Sequence, residues 1–289
     1  MGKLYGLHIG VQKYGRIYDA SVNRLTGCYN DMNAMSDIAK RAGALSVVTM
    51  GDAKRYQLEE QLRRLAFDTK DGDILLFTYA GHGYPVPNNT NNDPADGRMD
   101  ETICLSDAIV TDDDLYELFS AFKPGVRIVC FFDSCHSGSL GQWQEAPLGG
   151  ALDQVIDTKA PFTDGLEARR IATSKYEGFV EEYENDPQDI LPPVSPRLPL
   201  EAVGICYSAC GDTIDDIAYE ENGGGIFTNT TRSILADTEL DISYLELMQR
   251  IKSGRRLGDV SQHPIVTPLP SSANAKRKAF YQRERFLQL

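Results

Sequence analysis

The chain has 289 residues, of which 42% are hydrophobic and 25% charged, and its formal net charge is −13. These values argue against a chain that is disordered throughout, and they allow one large α/β domain or two smaller domains. The acidic balance also argues against nucleic acid as the main partner, because phosphate binding requires a basic surface.

The sequence gives no sign of a membrane or secretory segment. No apolar stretch approaches the roughly 18 residues that span a bilayer, and the N-terminal segment lacks the apolar core of a signal peptide. The six cysteines show no paired metal-binding spacing and lie mostly in apolar runs, as is typical of a reducing compartment. We therefore expect a cytoplasmic protein without a membrane partner.

Apolar runs alternate with amphipathic stretches along the first half of the chain. Continuous apolar runs predict strands that are covered on both faces, whereas apolar residues three or four apart predict helices. In chain order the predicted elements are a strand at 4–11, a helix at 27–42, a strand at 45–50, a helix at 56–67, a strand at 73–80, a helix at 112–122 and a strand at 127–132. This alternation predicts an α/β fold with a doubly wound sheet.

The pattern breaks at 141–200, which is rich in proline, glycine and acidic residues. Such a segment is typical of an exposed linker or processing region. The pattern resumes with a strand at 202–209 and helices near 227–236 and 243–252. We divide the chain into a large part at 1–140, a linker at 141–200 and a small part at 201–289, and we expect the two parts to form one domain.

Two predicted strands end in turns that carry reactive side chains. The strand at 73–80 is followed by a Gly-His-Gly turn centred on His82, and the strand at 127–132 by a turn with Cys135. Ligands bind beyond the carboxyl ends of strands in a doubly wound sheet, and a right-handed crossover can make these strands neighbours. We therefore expect His82 and Cys135 to face each other.

Such a pair fits nucleophilic catalysis. A thiol is mostly protonated at neutral pH, so a neighbouring imidazole must take or stabilise its proton. The amides of Gly83 and Cys135 are candidates for an oxyanion hole, in which each donor contributes on the order of 3 kcal/mol. From the residues alone, a catalytic dyad and a structural role for both side chains remain open.

The remaining cysteines and histidines are weaker candidates. Cysteines in or beside apolar runs are typical of packed core residues, and these are Cys104, Cys130, Cys206 and Cys210. His136 follows Cys135 in the same turn, where adjacent side chains usually point apart. A thiol phosphatase loop would require arginine where Gly141 stands, and a hydrolase nucleophile elbow would require glycine where Asp133 stands.

Three motifs resemble those of metacaspases, the caspase-like peptidases of bacteria, protists, fungi and plants. They are Tyr-Ala-Gly-His-Gly at 79–83, Asp-Ser-Cys-His-Ser-Gly at 133–138 and Leu-Thr-Gly-Cys-Tyr-Asn-Asp at 25–31. Segments 224–228 and 262–264 resemble the family's small subunit, and the Gln-Ala-Cys-x-Gly box of animal caspases is absent. The resemblance implies a caspase-like fold: a mostly parallel central sheet flanked by helices, built from a p20-like large part and a p10-like small part.

The resemblance also implies a cysteine endopeptidase that uses this dyad to cleave protein substrates after Arg or Lys. The family's acidic S1 pocket maps onto Asp31 and Asp133, with Cys28 and Ala80 beside them. Two carboxylates suit a guanidinium, which takes bidentate contacts. Ala80 stands where serine is common, so we expect weaker or broader P1 recognition. Taken singly, an acid at a helix start and an acid at a strand end also fit structural roles.

Many metacaspases are activated by calcium, and the resemblance maps the metal site onto Asp100, Asp112 and Asp113. Carboxylate oxygens are the ligands that calcium prefers. Gln142 stands where a further aspartate is usual, so we expect a reduced affinity. Ca²⁺ is therefore a hypothetical activator, and the chemistry itself is expected to require no cofactor.

The linker suggests regulation by self-cleavage, because it places basic residues in an exposed setting. These residues are Lys159, Arg169, Arg170, Lys175 and Arg197. The family's N-terminal prodomain has no counterpart before the first strand, so we expect recruitment by a regulatory partner, by a neighbouring gene product, or by nothing. We also expect a monomer. Two alternatives remain: a catalytically silent caspase-fold scaffold, and a transpeptidase that uses the same acyl-enzyme.

Overall fold

The computed structural model describes residues 2–16, 18, 25–87, 99–135, 167–168, 199–211, 217–254, 257, 262–269 and 285–289. These residues form an α/β structure with three sheets. In chain order its elements are β1 (Leu4–Gly10), α1 (Cys28–Arg41), β2 (Ser46–Gly51), α2 (Arg55–Asp68), β3 (Ile74–Ala80), β4 (Gly83–Pro87), β5 (Met99–Cys104), β6 (Ile109–Thr111), α3 (Asp112–Ser120), β7 (Arg127–Asp133), β8 (Glu167–Ala168), β9 (Val203–Ser208), β10 (Tyr219–Glu221), β11 (Gly224–Gly225), α4 (Ile226–Asp237), α5 (Tyr244–Lys252) and β12 (Ile265–Pro268).

The central sheet has six strands in the order β12–β9–β7–β3–β1–β2. Five of these strands are parallel, and β12 runs antiparallel to β9. The mostly parallel sheet expected from the sequence is therefore confirmed. Strands β9 and β12 follow the 141–200 segment in the chain and extend the same sheet beyond β7.

Helices cover both faces of the sheet, which explains why its inner strands are continuously apolar. Every residue of β1 and β3 is buried. On one face α2 and α3 contribute buried side chains that include Leu58, Leu62, Leu115 and Phe119. On the other face α1, α4 and α5 contribute buried side chains that include Met35, Ile38, Phe227, Leu235, Leu247 and Ile251.

The elements predicted from the sequence are present, with bounds that differ by two residues at most. The sequence pattern missed two smaller sheets. One is the antiparallel sheet β4–β5–β6, which begins at Gly83 directly after His82. The other contains the β10–β11 hairpin, whose turn residues Asn222 and Gly223 have φ of 54° and 78°. Two consecutive positive φ angles are the geometry of a type I′ turn, for which Asn-Gly is a strong signal.

None of the helices in the described part of the chain is long and apolar enough to cross a membrane. The predicted linker falls almost wholly outside the described residues, which include only 167–168 and 199–200 of it.

Candidate active site

The turns that carry His82 and Cys135 lie side by side. Strands β3 and β7 are parallel neighbours, and their last paired residues are Ala80 and Asp133. His82 and Cys135 each stand two residues beyond this pair, and both are fully buried. A Cβ atom at Gly83 would lie 2.0 Å from the Cys135 carbonyl oxygen. The glycine after His82 therefore lets one turn pack directly against the backbone of the other.

The small part of the chain contacts the Cys135 sulfur. The Ala218 amide donates a hydrogen bond to Sγ at an N–S distance of 3.1 Å. The same sulfur lies 3.7 Å from the Ala218 carbonyl oxygen, as a donor to it. Cys135 also belongs to the apolar layer that includes Phe131 and Ile217. Both polar contacts come from the residue just before β10, so this strand encloses the thiol.

The backbone of His82 is hydrogen-bonded on both sides. Its amide donates to the Tyr14 hydroxyl at 2.9 Å, and its carbonyl oxygen accepts from the Tyr79 hydroxyl at 2.7 Å. The Cys104 amide donates to the same carbonyl oxygen at 3.1 Å. The Tyr14 ring packs on the imidazole with centroids 5.0 Å apart.

The β4–β5 ladder defines the direction of the Gly83 amide. In an antiparallel ladder, hydrogen-bonded and non-bonded residue pairs alternate. The His82–Cys104 pair is joined by a ladder bond, and Gly83 pairs with Ile103 as the next rung. The Gly83 amide is therefore directed away from β5.

Both predicted pocket acids are buried, each 2% exposed, and both converge on Gly225. The Gly225 amide donates to both carboxylate oxygens of Asp31 at 3.0 Å. A Cβ atom at Gly225 would lie 2.0 Å from Oδ2 of Asp133. That oxygen also accepts from the Thr228 amide at 3.0 Å and the Thr228 hydroxyl at 2.5 Å. The two acids thus hold the N-terminus of α4, where free amides favour negative charge.

A third buried acid, Glu220 on β10, was not singled out from the sequence. Its Oε1 accepts from the Thr26 amide at 2.7 Å and the Thr26 hydroxyl at 3.0 Å, and its Oε2 from the Gly27 amide at 3.1 Å. Glu220 therefore holds the start of α1, the helix that carries Asp31. Each part of the chain thus contributes carboxylates that bind a helix N-terminus of the other part. No local signal distinguishes Glu220 from its neighbour Glu221.

The other two predicted pocket residues lie together. Cys28, Ala80 and Leu25 form a small buried apolar cluster. Cys28 is the first residue of α1 and Ala80 the last of β3, so the cluster lies at the same edge of the sheet as Asp133.

The predicted calcium ligands are described only in part. Asp112 and Asp113 are half-buried in the first turn of α3, where the Asp113 amide donates to Oδ1 of Asp112 at 2.9 Å. The side chain of Asp100 and all of Gln142 lie outside the described residues. Within the described part of the chain, no group of three or more His, Cys, Asp or Glu side chains is placed to hold a metal ion. The described acids therefore do not by themselves make a calcium site.

The remaining thiols and histidines agree with their expected structural roles. All six cysteines are buried free thiols. Burial raises the pKa of Cys104 to about 12 and that of Cys130 well above its ordinary value, which makes both poor nucleophiles. Burial, together with nearby Lys40, lowers the pKa of His8 to about 3. His136 lies outside the described residues.

Sequence comparison relates the chain to metacaspases. Residues 6–143 match the family described as metacaspase, peptidase C14 domain. The chain is 29% identical to Metacaspase-4 of Arabidopsis thaliana over 178 residues, which cover 57% of this chain and 42% of that protein. It is 26% identical to Metacaspase-9 of the same plant over 304 positions, covering 89% and 93%. The chain thus spans less than half the length of Metacaspase-4.

Solved structures confirm the caspase-like fold. A protein of Geobacter sulfurreducens aligns with a TM-score of 0.73 at 24% identity, over 99% of this chain and all of the other. Caspase-1 of Spodoptera frugiperda aligns with a TM-score of 0.56 at 14% identity, over 94% of this chain and 88% of the other. At these sequence identities the structural similarity shows a shared fold and nothing further.

Proposed function

We propose that this chain, whose residues 6–143 match the metacaspase family, is a cysteine endopeptidase in which Cys135 is the nucleophile and His82 the base. The observation that carries the proposal is the contact between the two turns. They follow neighbouring strands at the same register, and Gly83 packs on the Cys135 carbonyl. Thiol catalysis requires an imidazole within hydrogen-bond reach of the thiol, and two adjacent strand-end turns can bring these side chains together.

In the proposed reaction His82 takes the proton of the Cys135 thiol, and the thiolate attacks the scissile carbonyl carbon. The amides of Gly83 and Cys135 stabilise the oxyanion of the tetrahedral intermediate. As the C–N bond breaks, His82 returns the proton to the leaving amine and an acyl-enzyme remains. Water, deprotonated by His82, then attacks the thioester and releases the acid and the free thiol.

We propose that the substrates are proteins with Arg or Lys at P1. The support is the convergence of the Asp31 and Asp133 carboxylates on Gly225, with Asp133 only two residues before the nucleophile. A buried pair of carboxylates favours a cation and disfavours an acidic P1 side chain. Cys28 and Ala80 would supply the apolar wall for the aliphatic stem of that side chain.

The test is hydrolysis of matched fluorogenic peptides with Arg, Lys or Asp at P1 by the wild type, Cys135→Ala and His82→Ala. We expect turnover of the Arg and Lys peptides by the wild type alone. Turnover that survives Cys135→Ala would overturn the proposal. Product masses distinguish hydrolysis from transfer to an added amine.

A catalytically silent scaffold is the second candidate, and the observation that favours it is the full burial of Cys135 beneath Ala218. A silent scaffold would leave Cys135 unlabelled by a peptide chloromethyl ketone with Arg at P1. An enzyme would be labelled at Cys135 and inactivated at the same rate.

Calcium activation, self-processing and a reducing location are finer proposals. The calcium proposal rests on the family resemblance, and calorimetric titration that shows no heat with millimolar Ca²⁺ would contradict it. Self-processing would cleave the linker after a basic residue, and a Cys135→Ala chain that fragments like the wild type would contradict it. A cytoplasmic or similarly reducing location is supported by the six buried free thiols.

A further inference from the structure

We propose that Tyr14 and Tyr79 are positioning residues that hold His82 in its catalytic place by binding its backbone from both sides. The inference rests on the proposed role of His82 as the base. Both tyrosines bind the main chain of His82, the residue that transfers the proton in the proposed reaction.

Tyr79 fixes the carbonyl side of His82. Its hydroxyl donates to the His82 carbonyl oxygen at 2.7 Å and lies 2.8 Å from the Cys104 carbonyl oxygen. The same hydroxyl accepts from the Cys104 amide at 3.1 Å. One buried phenol therefore ties the end of β3, the His82 turn and the end of β5 together.

Tyr14 fixes the amide side. Its hydroxyl accepts from the His82 amide at 2.9 Å and donates to the Val11 carbonyl oxygen at 3.1 Å. Its ring lies 5.0 Å from the imidazole, tilted by 46°. Tyr14 thus connects the loop after β1 to both the backbone and the ring of His82.

Gly81 makes this arrangement possible. A Cβ atom there would lie 2.3 Å from the Tyr79 hydroxyl and 3.1 Å from the Tyr14 hydroxyl. Any side chain at position 81 would push the two hydroxyls away from His82. The structural reason for glycine at position 81 is therefore access for the two phenols.

Both hydroxyls keep their protons over the working pH range. Burial raises the pKa of Tyr14 and of Tyr79 well above the ordinary value of 10. A neutral phenol both donates and accepts, which is what each of these contacts requires. A peptidase that operates near neutral pH would therefore retain the hydrogen bonds at any pH where the base itself works.

The test is removal of one hydroxyl at a time, by Tyr79→Phe and Tyr14→Phe. The matched control is Tyr18→Phe: the Tyr18 hydroxyl is also buried, and its one proton is shared between the Leu105 and Ala108 carbonyl oxygens, which lie 2.6 Å and 2.8 Å away. Its ring lies 5.1 Å from that of Tyr14. All three variants lose a buried hydroxyl, but only two of them lose a bond to His82.

We expect kcat on an Arg peptide to fall about 10- to 100-fold in Tyr79→Phe and Tyr14→Phe with KM within about twofold, because small misplacement of a catalytic group lowers kcat steeply. Tyr18→Phe should lower Tm by a similar amount and leave kcat within about twofold. Equal kcat in all three variants, or a loss of kcat in Tyr18→Phe as large as in the other two, would overturn the proposal.

A second readout does not depend on turnover. In a Cys135→Ala background, the four histidines are labelled at Cε1 with carbon-13, and the His82 resonance is assigned by its loss in His82→Ala. We expect Tyr79→Phe and Tyr14→Phe to shift or broaden this resonance and Tyr18→Phe to leave it in place. An unmoved resonance in both would overturn the positioning role, whether or not the wild type hydrolyses peptides. If one variant does not fold, the other carries the same test.

Discussion

The Ala218 amide donates a hydrogen bond to the Cys135 sulfur at 3.1 Å, across 83 residues of chain. Ala218 precedes β10, and on β10 Glu220 holds the N-terminus of α1 through Thr26 and Gly27. One buried carboxylate thus holds β10, and the residue just before β10 contacts Cys135. The position of β10 therefore limits access to the Cys135 sulfur.

Glu220→Gln should therefore loosen β10 and expose the thiol. The amide keeps one acceptor oxygen and loses charge-assisted bonds, so we expect a loss of about 1–3 kcal/mol in the free energy of unfolding. Cys135 should then react with iodoacetamide faster than in the wild type. The control is Glu221→Gln, the next residue of the strand, which is half-buried. Equal alkylation rates in the two variants would contradict the role assigned to Glu220.

Asp31→Asn and Asp133→Asn should each lower kcat/KM on Arg peptides by about 30- to 1,000-fold, the effect of removing one partner of a buried charge pair. Both variants should also lose some stability, because the acids hold the N-terminus of α4. Asp37→Asn is the control, because Asp37 lies on the same helix as Asp31 and its side chain is 70% exposed. An equal preference for Arg over neutral P1 residues in all three variants would contradict the proposal that these acids form the S1 pocket.

Gly83→Ala should impair folding and catalysis together. The new Cβ atom would lie 2.0 Å from the Cys135 carbonyl oxygen, a backbone atom that cannot move independently. Overpacking of this kind costs about 1–3 kcal/mol, and it separates the two turns. Gly51→Ala is the control, because its Cβ atom would meet the Tyr29 ring at 3.4 Å, an ordinary contact. Thermal unfolding and peptide hydrolysis measure both effects; wild-type kcat in Gly83→Ala would contradict the close packing.

His8 should make the protein less stable in mild acid. Its pKa is lowered to about 3 in the folded state by burial, against about 6.5 in the unfolded chain. Below pH 6.5 the unfolded chain binds a proton at His8 that the folded chain does not bind. The contribution of neutral His8 to stability is therefore complete above pH 6.5 and is lost as the pH falls toward 3. Between pH 7 and pH 5 the free energy of unfolding should fall by about 2 kcal/mol. Urea unfolding of His8→Asn should show a flatter pH dependence than that of His263→Asn, which changes an exposed histidine.

Much of the fold was predictable because its strands are buried on both faces. The apolar runs at Leu4–Gly10 and Ile74–Ala80 are typical of strands covered on both faces. In a doubly wound sheet, ligands bind beyond the carboxyl ends of such strands. This is why His82 and Cys135 could be proposed as a pair. The β4–β6 sheet was missed because Pro85 and Pro87 argue against a strand.

The contacts between the two parts were not predictable. Thr26 and Glu220 are 194 residues apart, and no periodic pattern relates them. The Asn-Gly turn at 222–223 did carry a local signal for a hairpin, but its consequence, that Gly225 reaches both Asp31 and Asp133, depends on tertiary packing. The tyrosines that hold His82 were likewise indistinguishable from other apolar strand and loop residues.

In the proposed reaction Cys135 forms the acyl-enzyme, and the most direct test is acid-quench mass spectrometry during turnover of an Arg peptide ester. We expect the intact chain to gain the mass of the acyl group, and peptide mapping to place it on Cys135 in the wild type and nowhere in Cys135→Ala. Turnover without an adduct on Cys135, or with the adduct on another of the six cysteines, would contradict the claim.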